Sequence, residues 1–444
     1  MKKYLPILLI LLVLNACKKD FDETVFGEST DKRLTKTLDS LQARLVNEPG
    51  GWIAFLTTGT GVTTAFYFRF NDSNRVVMVN PDVTNGTVPK ESSYRLKALQ
   101  QPVLMFDTYS YLHIFADPNG AVNNGKNGVG QRSDFEFAYD PSVSDKDSIV
   151  LRGRMHNSKM VLRPAAAEDA AAVANNQFSG LVFDSLSKSY LNYFKRFDIG
   201  SNTYEIVVNP RTRYLKLAWR QGGSTYKEAT TKFIATPSGV IFSEVINANG
   251  IQIKGFSGVV WNTGTRTISF NINDQRVTPV GFEHPIQVDA AAPRRWWEYS
   301  RDQKDYWLSV TGFRVNGVDD AYKVASLPLY RHLMYQAENG VYNGTMYDAF
   351  GYVNGIAGLV TRVFAPGIIS PPNFIPDGHI TFSLAAGADE GLFFGTNPGA
   401  ASINAFAPAL LKMTDAQGYI FVQINDTYDM VDAVNATSWI NWEF

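Results

Sequence analysis

The sequence is nearly free of cysteine: Cys17 is the only one among 444 residues. Disulfide bonds within the chain are therefore excluded, and thiol catalysis is excluded once Cys17 is modified. Beyond Cys17 there is no run of about 18 apolar residues, so no later segment is long and apolar enough to cross a membrane as a helix.

The sequence also lacks an excess of charge of either sign. Its 41 Lys and Arg residues against 42 Asp and Glu residues give a formal net charge of −1. A nucleic-acid-binding domain typically shows a basic excess, so nucleic acid is not an expected partner.

Recognisable motifs for metal binding and catalysis are missing as well. The five histidines have no ligand spacing, so we expect no metal and no cofactor. Gly255–Gly258 is one residue short of a nucleophile elbow, and we assign no catalytic residue. Paired carboxylates for glycoside hydrolysis stay open, because 42 acidic residues allow many pairs.

What the sequence does contain, at its start, is the pattern of a lipoprotein signal peptide. Lys2 and Lys3 form a basic start, Leu5–Leu14 is apolar, and Leu14–Cys17 reads as a lipobox. Cleavage before Cys17 and acylation with chains such as palmitate would anchor the mature protein to a membrane. The alternative is an ordinary secretory leader that contains a cysteine by chance.

The residues after Cys17 bear on the choice of membrane. Lys18 and Lys19 follow directly, so the aspartate that retains many lipoproteins in the inner membrane is absent. Asp20, Asp22 and Glu23 resemble the acidic export signal of Bacteroidota surface lipoproteins. We expect the outer membrane, facing the cell exterior; a periplasmic orientation and a merely solvated tether are the alternatives.

The hydrophobic pattern predicts a mainly β fold. Aromatic residues make up 13% of the chain, which favours strands. Leu34, Leu38, Leu41 and Leu45 form one helical stripe, and from Trp52 the apolar residues alternate. We expect antiparallel meander units, barrel-like or sandwich, each preceded by a short helix, plus a divergent C-terminal α+β or β region.

This pattern divides the chain into predicted segments. They are a signal peptide at 1–17, a tether at 18–30, a first helix-plus-meander unit at 31–164, a linker at 165–177, a second such unit at 178–289 and a C-terminal region at 290–444. The pattern also predicts helices at Asp184–Phe197 and Leu327–Gln336 and a strand at Leu112–Ala116.

Three hairpin turns share one chemistry. Asn71–Arg75, Asn209–Arg213 and Asn262–Arg266 each begin with Asn and end with Arg. An Asn side chain can accept a hydrogen bond from its own backbone two residues on, which favours such turns. The repetition hints at internal duplication, although turns that begin with Asn are common in β-proteins.

An aromatic cluster near residue 300 is the strongest binding signal. Its candidate ligand-binding residues are Trp296, Trp297, Tyr299 and Trp307, with Tyr306 and several charged residues interleaved. Exposed aromatic rings beside charged groups suit sugar rings. The alternative is that these large side chains are buried between the second and third regions.

Several segments together resemble a known family. They are Gly50-Gly51-Trp52 at the end of the first helix, Pro102–Tyr109, Leu112–Pro118 and Lys159–Pro164. They are similar to Bacteroidota lipoproteins that carry domain of unknown function 4302, over roughly residues 30–280. The resemblance implies a surface or periplasmic lipoprotein, often associated with SusC/SusD-type uptake systems, and it implies no catalytic residue.

We therefore expect a lipid-anchored, non-catalytic binding or accessory component of surface nutrient acquisition, with a glycan or peptide as the nutrient. Expected partners are the membrane through the N-terminal lipid, a SusC/SusD-type uptake complex and carbohydrate. A structural or adhesive envelope protein and a glycan-active hydrolase are the two alternatives.

Overall fold

The computed structural model describes residues 29–123, 125, 128–342, 344–355, 362–384 and 400–444. The predicted signal peptide with Cys17 and residues 18–28 of the predicted tether lie outside the described residues. The chain divides into two compact units, Met1–Ala170 and Ala171–Phe444.

Eight antiparallel strands form a closed barrel in the first unit. Each strand pairs with the next along the chain, and the first strand pairs with the eighth. The strands are β1 (Trp52–Thr57), β2 (Thr63–Phe70), β3 (Arg75–Val79), β4 (Lys90–Leu99), β5 (Gln101–Phe106), β6 (Glu136–Tyr139), β7 (Ile149–Gly153) and β8 (Lys159–Pro164).

The helices of this unit lie before, between and after the strands. They are α1 (Thr30–Asn47), α2 (Tyr111–Ile114), α3 (Gly120–Asn123) and α4 (Ala167–Ala174), which runs past the end of the unit. The strand expected at Leu112–Ala116 is thus wrong, because residues 112–114 lie in the short helix α2, at whose start the Ser110 backbone N–H donates to His113 Nδ1 at 3.2 Å.

Aromatic side chains fill the barrel. Phe66, Phe68 and Phe70 alternate along β2 and join Phe106 and Phe137 in one hydrophobic cluster. The rings of Phe68 and Phe106 have centroids 5.6 Å apart. This alternation is what the period of a half-buried strand requires.

Helix α1 packs against the barrel through its second half. Leu41 and Leu45 are buried, whereas Leu34 and Leu38 of the same stripe are only half-buried. The Trp52 indole N–H donates to the Leu45 carbonyl at 3.0 Å and ties the helix end to β1. The predicted helix is therefore confirmed.

The second unit begins with two short helical segments and a nine-stranded antiparallel sheet. The helical segments are α5 (Ser179–Val182) and a 3₁₀ helix (Phe183–Lys188). The strand order is β16-β15-β14-β13-β12-β11-β10-β9-β17. The strands are β9 (Phe194–Ile199), β10 (Asn202–Asn209), β11 (Tyr214–Gln221), β12 (Thr225–Ala235), β13 (Gly239–Ala248), β14 (Ile251–Asn262), β15 (Thr267–Ile272), β16 (Gln275–Val277) and β17 (Val280–Phe282).

The rest of the second unit contains two smaller sheets, ordered β18-β20-β21-β22 and β19-β27-β26-β25-β24-β23. The strands are β18 (Trp307–Ser309), β19 (Arg314–Val315), β20 (Tyr330–Tyr342), β21 (Thr345–Asn354), β22 (Arg362–Ile369), β23 (Asn373–Phe374), β24 (His379–Thr381), β25 (Tyr419–Ile424), β26 (Thr427–Asp432) and β27 (Ser438–Trp442). The helices are α6 (Ala292–Gln303), a 3₁₀ helix (Val324–Ser326) and α7 (Ala400–Met413).

The predicted fold class is confirmed: the chain is mainly β, with antiparallel meanders preceded by short helices and a C-terminal β region. Two helix predictions in the second unit differ from the structure. Asp184–Phe197 contains only the 3₁₀ helix before β9 begins, and Leu327–Gln336 leads into β20. The predicted boundaries at 164, 178 and 290 stay predictions.

Among the helices that the structure describes, none combines the length and apolar character that a membrane crossing needs.

Candidate functional site

The aromatic cluster predicted as a binding platform lies mostly in the core. Trp296 is 0% exposed, Trp297 7% and Trp307 2%, whereas Tyr299 is 45% exposed. The prediction of an exposed platform is corrected for the three tryptophans, because their large apolar rings are packed inside the C-terminal region. Of the four predicted residues, only Tyr299 has a substantially exposed ring.

Two of the tryptophans donate hydrogen bonds inside the core. The Trp307 indole donates to the Trp296 carbonyl at 2.8 Å, and the Trp297 indole donates to Asp348 Oδ2 at 2.8 Å. Asp348 is fully buried and also accepts from the Tyr335 hydroxyl. Burial raises the pKa of Asp348. These bonds satisfy the polar ends of Trp297, Trp307 and Tyr335 inside the core.

No group of three or more potential metal ligands occurs among the residues with described positions. The Asp145 side chain closes a turn: its Oδ1 accepts from the Asp147 backbone N–H and the Ser148 hydroxyl, both at 2.9 Å. The ring of His113 stacks between those of Tyr109 and Phe135.

A cavity of about 480 Å³ lies in the second unit. Its walls come from three separate stretches of sequence, within residues 186–211, 310–325 and 429–441. Apolar residues such as Leu186, Ile206 and Val310 alternate with buried charged groups along these walls. This volume and this mixture are typical of small-molecule sites. Another depression, near Glu205 and Lys216, has only about 30 Å³.

The buried carboxylate of Asp429 lies at one side of the cavity. Asp429 lies on β26 and is 5% exposed. Its Oδ2 accepts from the Tyr193 hydroxyl at 2.5 Å, and its Oδ1 accepts from the Asn441 amide at 2.7 Å. Burial raises the pKa of Asp429 to about 6. Burial, with Asp429 close by, also raises the pKa of Tyr193, which keeps the phenol protonated as a donor.

A buried lysine stands beside this pair. Lys195 lies on β9, is 3% exposed, and its Nζ donates to the carbonyls of Asn192 at 3.0 Å and Tyr193 at 2.9 Å. Burial and the nearby Arg314 guanidinium lower the pKa of Lys195 to about 7, against the opposing effect of Asp429. An ammonium group buried with only neutral acceptors is costly, which marks Lys195 as a functional candidate.

An indole ring and a second cation complete the site. Trp439 on β27 is half-buried and lines the cavity. Lys195 Nζ lies 5.7 Å from its ring centroid, and Arg314 Cζ lies 5.3 Å from the same centroid. Arg314 is 6% exposed and pairs with Asp319. Two buried cations thus share one aromatic ring at the cavity wall.

The sequence predictions missed these residues. A signal exists in the strand period: Lys195 is in phase with Phe197 and Ile199, and Asp429 with Val431, all of which are buried. A charged residue in phase with buried apolar neighbours is predicted to lie on the core side. The contact between Tyr193 and Asp429 spans 236 residues, so no local pattern could reveal it.

Comparison with known proteins gives one match to a family model. The model described as "Domain of unknown function (DUF4302)" matches residues 22–263. The matched segment includes the barrel and the sheet as far as β14. It therefore contains Tyr193 and Lys195 but not Arg314, Asp429 or Trp439. No curated protein matches the chain.

Solved structures that are similar to this chain include bacterial DNA polymerase III β subunits. That of Thermotoga maritima is 8% identical with a TM-score of 0.14, covering 93% of this chain and 96% of that chain. The Pseudomonas aeruginosa sliding clamp is 9% identical with a TM-score of 0.13, covering 92% and 96%. Likeness at this level carries no argument about this chain.

Proposed function

The chain belongs to the DUF4302 family, and from that premise we propose that it is a lipid-anchored, non-catalytic binding protein of nutrient acquisition at the outer membrane, whose ligand occupies the cavity of the second unit. The ligand is a short glycan or peptide. The anchor is an acylated Cys17, and the partner is an uptake complex of the SusC/SusD type.

The cavity is the observation that carries this proposal. It has the volume of a small-ligand site, and it brings together the side chains of Lys195, Arg314, Asp429 and Trp439 from separate strands. Burying such charges has a cost in stability that a packed apolar core would avoid. A site that retains them is best explained by the binding of a polar ligand.

The leader and the residues after it support the location. The basic start, the short apolar segment and Leu14–Cys17 fit a lipoprotein signal. Mass spectrometry of the native protein tests this part: we expect an N-terminal Cys17 bearing a diacylglycerol. An unmodified N-terminus would contradict the anchor but not the binding role.

Ligand binding is tested on the chain that begins at Lys18. We expect some members of a glycan array or a library of short peptides to bind, with affinities measured by calorimetry. Thr311 is exposed and lines the cavity, so Thr311→Trp should block the entrance and weaken binding by at least about tenfold.

Thr345→Trp is the matched control, because Thr345 is also an exposed threonine but does not line the cavity. Equal weakening in both variants would argue against the cavity. No binding by any glycan or peptide would favour a structural or adhesive envelope role instead.

One observation favours a glycan-active hydrolase as a second candidate. Asp429 has a pKa raised to about 6, which suits a general acid, and Asp319 and Asp320 line the same cavity. The test is release of reducing sugar from the glycans that bind. Turnover that Asp429→Asn abolishes would establish this alternative; binding without turnover would exclude it for those glycans.

A further inference from the structure

Two buried cations of the cavity have hydrogen-bond donors that the described residues do not fully satisfy. The Lys195 ammonium has three N–H groups, and two of them reach the carbonyls of Asn192 and Tyr193. Among the residues that the structure places, none contributes a carboxylate that forms an ion pair with Lys195 Nζ. One donor of a buried cation is thus left for another acceptor.

Arg314 adds a second donor. Its Nη1 is bound by Asp319, but its buried Nε has no hydrogen-bond partner within the described part of the chain. Lys195 Nζ lies 5.7 Å and Arg314 Cζ 5.3 Å from the centroid of the Trp439 ring. Both donors therefore belong to the same region of the cavity. A buried donor without an acceptor is destabilising and calls for a ligand.

The acidic residues of the cavity are, by contrast, already bound. Asp429 accepts from Tyr193 and Asn441, and Asp319 is bound by Arg314 and lies 3.5 Å from Lys188 Nζ. Asp320 accepts from the backbone N–H groups of Val324 and Ala325, both at 2.9 Å. None of these three carboxylates forms an ion pair with Lys195 Nζ within the described part of the chain.

We infer that the ligand of this cavity carries a carboxylate, which accepts hydrogen bonds from Lys195 Nζ and Arg314 Nε beside the ring of Trp439. This inference rests on the proposed function and names the chemistry of its ligand. An acidic sugar and the free C-terminus of a short peptide both supply such a group, and the experiment separates them.

The charge of the site favours a monoanion over a phosphate. Only Lys195 is a buried cation without a carboxylate partner in the described residues, since Arg314 is paired with Asp319. Asp429, Asp319 and Asp320 line the same cavity and would repel a dianion. A single carboxylate matches one uncompensated ammonium group and the planar donor of an arginine.

The experiment measures affinities on the chain beginning at Lys18 by calorimetry. The probes are galacturonic acid and its methyl ester, N-acetylated tetraalanine with a free C-terminus and with a C-terminal amide, and inorganic phosphate. At least one free acid should bind about 10- to 100-fold more tightly than its neutral counterpart, which is the range expected for charge-assisted hydrogen bonds. Which pair shows the difference identifies the source of the carboxylate.

Lys195→Met should remove this preference, and Arg314→Lys, which keeps the charge but loses Nε, should reduce it. Lys216→Met is the matched control, because Lys216 is also a buried lysine in the same sheet but pairs with Glu228 and does not line the cavity. Urea unfolding of each variant shows whether it is folded.

The outcomes separate the two proposals. If an acid and its neutral counterpart bind with equal affinity, the inference of a carboxylate ligand is overturned, but the proposed binding function is not. Phosphate binding as tightly as the acids also overturns it. The preference for the free acid must not survive in Lys195→Met and must survive in Lys216→Met. If either condition fails, the carboxylate is recognised elsewhere and the inference is overturned. If neither these probes nor the wider library bind, the binding function fails as well.

Discussion

At the scale of single residues, the most informative side chain is Lys195. Phe197 and Ile199, which are in phase with it along β9, are buried apolar residues, and its ammonium group donates only to carbonyl groups among the described residues. A buried lysine shifts its pKa readily, and here the pKa is lowered to about 7. The protonation state of Lys195 therefore changes near neutral pH, where most lysines stay charged.

Binding of a free acid should depend on pH as a result. Above pH 7 Lys195 loses its proton, so affinity should fall by about tenfold between pH 6 and pH 8. Asp429, with a pKa of about 6, ionises as pH rises and repels the ligand carboxylate, which also lowers the affinity. Arg314 stays charged over this pH range.

Calorimetry at pH 6, 7 and 8 measures this dependence. The amide or ester of the same ligand is the control, since an uncharged group should show little change. Affinity for the free acid that rises with pH would contradict the assigned role of Lys195.

The aromatic residues near position 300 give a second prediction at this scale. Trp296→Ala should lower the free energy of unfolding by about 3–5 kcal/mol, because a fully buried indole is removed from the core. Tyr299→Ala, at a position that is 45% exposed, should cost less than about 1 kcal/mol. Urea unfolding compares the two, and equal costs would argue against burial of Trp296.

At the scale of elements, the repeated turns were the most successful sequence prediction. Asn71 Oδ1 accepts from the Ser73 backbone, Asn209 Oδ1 from that of Arg211, and Asn262 Oδ1 from that of Gly264, each at 3.0 Å. Arg213 and Arg266 both have positive φ, at 60° and 53°. Turn chemistry is local, so the sequence alone was sufficient.

The two later turns differ in burial, which predicts different costs. Asn262 is exposed, so Asn262→Ala should cost about 1 kcal/mol. Asn209 is 5% exposed and its amide also donates to Thr427 Oγ1 at 3.3 Å, so Asn209→Ala should cost about 2–3 kcal/mol. Denaturant titration ranks them; a larger cost at Asn262 would contradict this account.

Helix predictions failed where packing overrides the local pattern. Leu327–Gln336 has residues that tolerate a helix, yet Leu333, Met334 and Tyr335 are all buried in β20 and pair with β21. A short apolar segment cannot be assigned to helix or strand by period alone. The pairing partner, which decides the outcome, is not visible in the segment itself.

At the scale of the whole molecule, the fold class could be predicted but the candidate site could not. Alternating apolar residues indicated antiparallel β-structure throughout. The cavity is different, because three distant stretches of sequence form it and its buried charges have no sequence motif. The aromatic cluster that looked like a site is core, since richness in tryptophan does not distinguish an exposed ring from a buried one.

The closed barrel predicts that the first unit folds by itself. Its core cluster lies between Leu41 and Leu162, and closure between β1 and β8 leaves no unpaired edge. The fragment 29–170 should unfold cooperatively in urea with a β-type circular dichroism spectrum. The fragment 29–158, which lacks β8, is the control and should not fold; loss of cooperativity in both would contradict an independent barrel.

The central claim is that the cavity of the second unit binds the ligand, and a crystal structure with the tightest-binding probe tests it most directly. The account predicts the probe in the cavity, with an oxygen within hydrogen-bond distance of Lys195 Nζ and beside the Trp439 ring. A probe bound anywhere else, for example on Tyr109 and Phe135 of the barrel, with the cavity filled only by water, would contradict the account.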